Sequence, residues 1–226
     1  MTDRFATAAA GAAYTLTWVV GLSVFSPSTT VTSPGSDLLR QYAGHERVLA
    51  LQYLLTQGLA ALLLAVVLAA VVRSVSGPAA RVVRVAGGGA VCVSLVQCLL
   101  GLLLATVAVP DSDAAGIGAL ADTINRLDGL KMTLLAATWG CLAHAVRRRE
   151  VVLPRRSVGL FAATSVALLA SAAGYGFLYD RLATAAFVSL PLLLASATLA
   201  AAYVRPRYGD GLRPQSQQVR GDRRAA

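Results

Sequence analysis

The sequence predicts an all-α polytopic membrane protein, a bundle of six transmembrane helices with both termini cytoplasmic. Three observations carry this. The chain is 56% hydrophobic over 226 residues with a mean hydropathy of +0.64, too apolar for an ordinary soluble domain. Its apolar residues gather in six segments, about 5–26, 47–72, 85–109, 128–146, 157–179 and 182–204. Each has roughly the 17–25 residues that cross a hydrocarbon core of about 30 Å. The stretches between them alternate in charge: the N-terminus, 73–84, 147–156 and the tail from Arg205 hold 15 Lys+Arg and 4 Asp+Glu, whereas the other loops and helix mouths hold 5 and 7. That is the positive-inside signature, and it sets the orientation.

The first segment is rich in small residues (Ala8 to Ala13, with Gly11), which favours close approach to a neighbouring helix. It is longer than the 7–15 residues of a signal-peptide core, and Pro27 stands where a small-residue cleavage motif would be needed, so it reads as an uncleaved span. The first outer loop begins extended, being rich in Ser, Thr and Pro. With Ser36 as N-cap it then forms a short amphipathic helix from Asp37 to about Glu46. The second span follows from Arg47. Gly77–Pro78 marks a cytoplasmic turn, and Gly87–Gly88–Gly89 opens the third span. Ser112 or Asp113 can cap a weak helix that runs to Leu127 and continues into the fourth span. The fifth and sixth spans are joined by little more than Asp180–Arg181, and Pro191 is expected to kink or open the last one. Residues 1–204 form the six-span domain. Residues 205–226 read as a disordered basic cytoplasmic tail.

A net charge of +9 raises nucleic acid as a partner, but the basic residues sit in short runs against apolar segments: Arg73, Arg81 and Arg84; Arg147 to Arg149; Arg155 and Arg156. That placement suits orientation and contact with anionic lipid head groups, so the partners expected are the bilayer and its cytoplasmic head groups, not nucleic acid. The three cysteines, Cys92, Cys98 and Cys141, fall inside predicted spans without paired spacing, and the two histidines, His45 and His144, are assigned to opposite faces. Neither a disulfide frame nor a metal site is indicated, and no cofactor is implied. Nineteen arginines to one lysine, with heavy Ala, Gly and Val use, points to GC-rich coding and a bacterial, multi-pass inner-membrane location.

Polar residues are the informative ones in so apolar a chain. All charged residues crowd the span ends, which argues against an ion-coupled carrier with a buried carboxylate. Three neutral amides go deeper: Gln52, Gln57 and Gln97. At 1.5 Å per residue, Gln57 is about 15 Å below the start of the second span, and Gln97 sits at similar depth in the third. A hydrogen bond between Gln57 and Gln97 is one expectation; a polar pocket lining is the other. The densest polar set lies on the outer face, with His45, Glu46 and Arg47 leading into the second span and Asp122, Asn125, Arg126, Asp128 and Lys131 into the fourth. Asp122 can meet Arg126 at i,i+4, and Asp128 can meet Lys131 at i,i+3. Lys131, the chain's only lysine, is expected to snorkel outward to Asp128 or Glu46. Tyr175, Tyr179, Asp180 and Arg181 would join the rim. Known catalytic signatures are absent from the sequence.

Gly44-His45-Glu46 before the second span, Gln52 and Gln57 within it, and Leu127-Asp128-Gly129-Leu130-Lys131 entering the fourth make the chain resemble the uncharacterised six-helix integral membrane proteins of actinobacteria. The resemblance covers most of the spans. It implies no activity and brings no functional residues with it. From the residues themselves, the leading expectation is a pocket facing outward between the second, third and fourth spans, binding a lipid or small amphipathic ligand. Glu46, Gln52, Gln57, Gln97, Asp128 and Lys131 are its candidate residues. The alternatives are a small membrane-embedded enzyme using His45, Glu46 or Asp128 as acid or base, and an accessory subunit that recognises another membrane protein through small-residue faces at Gly11, Gly88 or Gly174.

Overall fold

A computed structural model describes residues 2–151 and 153–204, and among them every regular element is helical. The tail 205–226 lies outside the described residues. Helix α1 spans Thr2–Val24 and α2 spans Gly35–Tyr42. The second apolar segment is one helix, α3, over Glu46–Ser74, and the third is α4, over Gly77–Ala108. Both contain a π-helical stretch, Leu54–Leu59 in α3 and Leu104–Ala108 at the end of α4. Helix α5 is the longest at 35 residues, Ala114–Arg148. Then come α6, Ser157–Gly176, the single turn α7, Asp180–Ala183, and α8, Ala186–Tyr203.

Five helices are long and apolar enough to cross a membrane: α1, α3, α4, α6 and the α7–α8 segment. That is the character of a membrane protein. Helix α5 is not among them, because Asp122, Arg126, Asp128, Lys131 and His144 all lie along it. At 1.5 Å per residue it is about 52 Å long, far more than a hydrocarbon core of about 30 Å requires. It is also the centre of the molecule. Its most extensive packing is against α6 and then α4, and its first half lies against α2.

Several boundaries differ from the sequence expectation, each for a local reason. Helix α2 starts at Gly35 and stops at Tyr42, short of Glu46, because Gly44 takes a left-handed φ of +80° that ends one helix and redirects the chain into the next. Helix α4 starts at Gly77 instead of residue 85. Pro78 fits the first helical turn, where a missing N–H is harmless, so Arg81 and Arg84 ride on the helix. Of the two caps the sequence allows for α5, Asp113 is the one used, accepting from the Gly116 amide at 3.0 Å. Helix α8 runs unbroken through Pro191; the proline sits in the second turn, where only one early hydrogen bond is forgone.

Two apolar clusters hold the bundle together. One includes Val67, Val71, Val83, Trp139, Leu142, Phe161 and Leu168. The other, nearer the loop between α1 and α2, includes Leu38, Tyr42, Leu49, Leu104, Ile117 and Ile124. Small hydroxyls stitch the last helices together. Thr164 meets Ser196 at 2.8 Å and Ser171 meets Ser189 at 2.9 Å between α6 and α8, and Thr15 meets Thr198 at 2.9 Å between α1 and α8. In an apolar surround such bonds stabilise by roughly 0.6–1.7 kcal/mol each.

Candidate functional site

In three helices a polar side chain falls between the two apolar clusters. In α3, Gln57 lies between Leu49 of one cluster and Ala60 of the other; in α4, Gln97 lies between Ala90 and Leu104; in α5, Lys131 lies between Ile124 and Leu135. The three converge. The Lys131 ammonium donates to Gln57 Oε1 and to Gln97 Oε1, both at 2.9 Å, and pairs with Asp128 Oδ1. All three of its donors therefore have acceptors. Gln97 Nε2 donates to Asp128 Oδ1 at 2.9 Å and to the Ile124 carbonyl at 3.0 Å. The Gln97 amide is oriented at both ends, with oxygen to the cation and nitrogen to the carboxylate. Gln97 is fully buried and Lys131 is 6% exposed.

This arrangement corrects two expectations. Lys131 meets Asp128, as its spacing predicts, but not Glu46 and not at a water-facing mouth: the ammonium is buried among the helices, held by Gln57 and Gln97 as well. The two glutamines are joined through the ammonium instead of directly. The net charge of the Lys131–Asp128 pair is zero, and its hydrogen bonds offset the loss of water, which is the condition for burying an ion pair at all.

The π-helical turn Leu54–Leu59 contains Gln57. Such turns shift the side chains that follow relative to an α-helix and recur at functional sites. Beside the cluster is a void of about 20 Å³ lined in part by Tyr14, Trp18, Thr56, Ser94 and Lys131, room for about one water.

Glu46 and Gln52 stand apart from this cluster. Glu46, the first residue of α3, folds back on the preceding turn, accepting from the Gly44 amide at 2.8 Å. Gln52 donates to the Phe25 carbonyl at 2.8 Å and ties α3 to the end of α1. His45 is exposed and stacks on Phe25, ring centroids 5.6 Å apart. The expected Asp122–Arg126 ion pair does not form; among the described residues the ion pairs are Asp37–Arg40 and Asp128–Lys131. Asp180 accepts from the Thr32 hydroxyl, which fastens the first outer loop to the α6–α7 connection.

A larger cavity, about 170 Å³, lies where the loop between α1 and α2 folds over α3, α5 and α6. Its walls are the first outer loop (Thr29, Thr30, Val31, Ser33), Leu38 and Tyr42 of α2, Tyr53 of α3, Ala121, Asp122, Ile124 and Asn125 of α5, and Tyr175 of α6. Asn125 Nδ2 approaches the Val31 carbonyl at 3.5 Å. Burial raises the Tyr42 hydroxyl above its ordinary pKa, with a hydrogen bond from Thr29 partly opposing this, so its phenol stays neutral at physiological pH. The cavity adjoins the buried cluster at Ile124, which lines the cavity and whose carbonyl accepts from Gln97. The loop residues and Tyr53 were not singled out in the sequence, since nothing in their spacing reveals that the loop folds over the helix ends.

Among the described residues no three His, Cys, Asp or Glu side chains gather as a metal site. No protein-family model matches the chain, and neither a curated protein nor a solved structure matches it.

Proposed function

We propose that the protein is a six-span membrane protein that binds the polar end of a small amphipathic ligand in its outer cavity, above the Lys131 cluster. In this reading α5 also crosses, as the fourth of six spans, both termini are cytoplasmic, and the home is a bacterial inner membrane. The arginine-rich ends of α3, α4, α5 and α6 then contact anionic head groups on the cytoplasmic face. The observation that carries the proposal is the contiguity of an outer polar cavity with a buried ion pair. An ionisable pair held inside a bundle of apolar helices is expensive, and functional sites are where such groups are usually found. Glu46 and Gln52 drop out of the site as positioning contacts of α3. Gln57, Gln97, Asp128 and Lys131 line no part of the cavity but adjoin it at Ile124, which stands in the wall and accepts from Gln97. A volume near 170 Å³ is below the roughly 300–1,000 Å³ of pockets that engulf whole ligands, so only a head group enters while any tail stays in lipid.

The test is retention of small molecules by protein purified from its own membrane and read by native mass spectrometry, comparing the natural chain with Asp128→Asn, Lys131→Met and the double variant. The double variant carries no buried charge and is the informative one for ligand retention. Loss of a bound species at normal membrane abundance supports the proposal. Undiminished retention in all three variants overturns it.

The enzyme alternative required His45, Glu46 and Asp128 to converge on one substrate position, within about 3 Å of the reacting atoms. Each is instead engaged with its own neighbour, His45 on Phe25, Glu46 on Gly44 and Asp128 on Lys131. For the accessory-subunit alternative, Gly11 and Gly174 are packed inside, a methyl on either meeting Ala201 at 2.5 Å or Ala183 N at 2.1 Å. Gly88 alone of the three faces open space.

A further inference from the structure

We infer that the outer cavity selects a small organic cation, an amine or quaternary ammonium group. This rests on the proposal that the cavity is a binding site and names the chemistry it takes. Three tyrosines, Tyr42, Tyr53 and Tyr175, contribute to the wall, together with Asp122, Asn125, Thr29, Thr30 and Ser33. No lysine, arginine or histidine is among the lining residues. Arg126, next along α5 from Asn125, is exposed and not part of the wall. Arg40, the basic residue of α2, is paired with Asp37. Lys131 lies beneath, its charge matched by Asp128.

An anionic head group would find no counter-charge in this wall. A hard divalent ion would find a single carboxylate, Asp122, against its two charges. An alkylammonium finds both things it needs, a carboxylate to balance its charge and aromatic rings to replace its hydration shell. Tyr53 is held in place from behind: its ring rests on Gly101 of α4, where an added methyl would overlap it at 2.2 Å. Free amines and the head groups of zwitterionic lipids share this chemistry.

The experiment is a titration of the full-length protein in nanodiscs with choline, read by isothermal calorimetry. The control is 3,3-dimethyl-1-butanol, which replaces the charged nitrogen by carbon, and the variant is Asp122→Asn. Asp122 is exposed, so its change leaves the fold intact. Choline is expected to saturate, with binding weakened about five- to tenfold by Asp122→Asn, as for loss of about 1 kcal/mol or slightly more. The neutral analogue should bind at least about tenfold more weakly than choline, a difference of about 1.4 kcal/mol. Equal saturation by choline and the neutral analogue overturns the cation assignment and leaves the binding cavity standing. Saturation by neither overturns both. Repeating the choline titration in phosphatidylcholine and phosphatidylglycerol nanodiscs separates the two sources: competition in phosphatidylcholine alone assigns the cavity to a lipid head group, and equal binding in both assigns it to a free amine.

Discussion

Lys131 illustrates why the direction of a side chain is harder to read than its partner. Its i,i+3 spacing from Asp128 is visible in the sequence, and so is the depth of Gln57 and Gln97. A lysine stem at a helix mouth can extend outward to water or inward along the bundle, and the choice depends on whether acceptors wait inside. Here two glutamine oxygens on two other helices do, and only the assembled helices show that they meet at one point. The energetics follow from burial. Removing one member of a buried pair leaves an unmatched charge, which costs about 3–5 kcal/mol, whereas removing both can be nearly neutral. Lys131→Met and Asp128→Asn are each expected to lower stability by about that amount, and the double variant by clearly less than the sum. Equilibrium unfolding in mixed micelles measures this. Additive losses would show that the pair is not coupled.

Among the elements, the apolar segments were legible from hydropathy and length alone, and the structure places a helix on every one. What composition could not show is backbone detail. The π-helical turns in α3 and α4 leave no mark in residue type, yet one of them contains Gln57. The hydroxyl pairs between α6 and α8 are equally hidden, because Ser and Thr read as minor interruptions of an apolar run. The outer cavity depends on a loop without periodicity lying across α5 and α6. The cavity wall depends also on the close contact between α3 and α4 at Tyr53 and Gly101. A side chain at position 101 has to push the Tyr53 ring away, so Gly101→Val is expected to reshape the cavity while the helices persist. Choline affinity should drop by about tenfold or more, as for over about 1.4 kcal/mol, with an unchanged far-ultraviolet circular dichroism spectrum. Unaltered affinity would show that Tyr53 is not part of the binding wall.

For the whole molecule, charge and geometry must agree on which way the bundle faces. The arginines at the ends of α3, α5 and α6 share one side only if α5 crosses from Asp113 to Arg149. Its last turn carries Arg147 and Arg148, and its first half packs on α2 beside the first outer loop. If α5 lay on the surface instead, the parity of the spans would change and the two halves of the chain would face opposite ways. The buried contacts of Lys131 with α3 and α4 oppose that, since they place α5 inside the bundle at the depth of Gln57 and Gln97. Single cysteines decide it in a background where Cys92, Cys98 and Cys141 are changed to alanine. Ser33→Cys, on the first outer loop, is expected to react with a membrane-impermeant maleimide in intact cells. Arg149→Cys should react only after the membrane is opened. Labelling of both in intact cells would remove α5 as a span, and labelling of Arg149→Cys alone would invert the molecule and put the cavity on the cytoplasmic side.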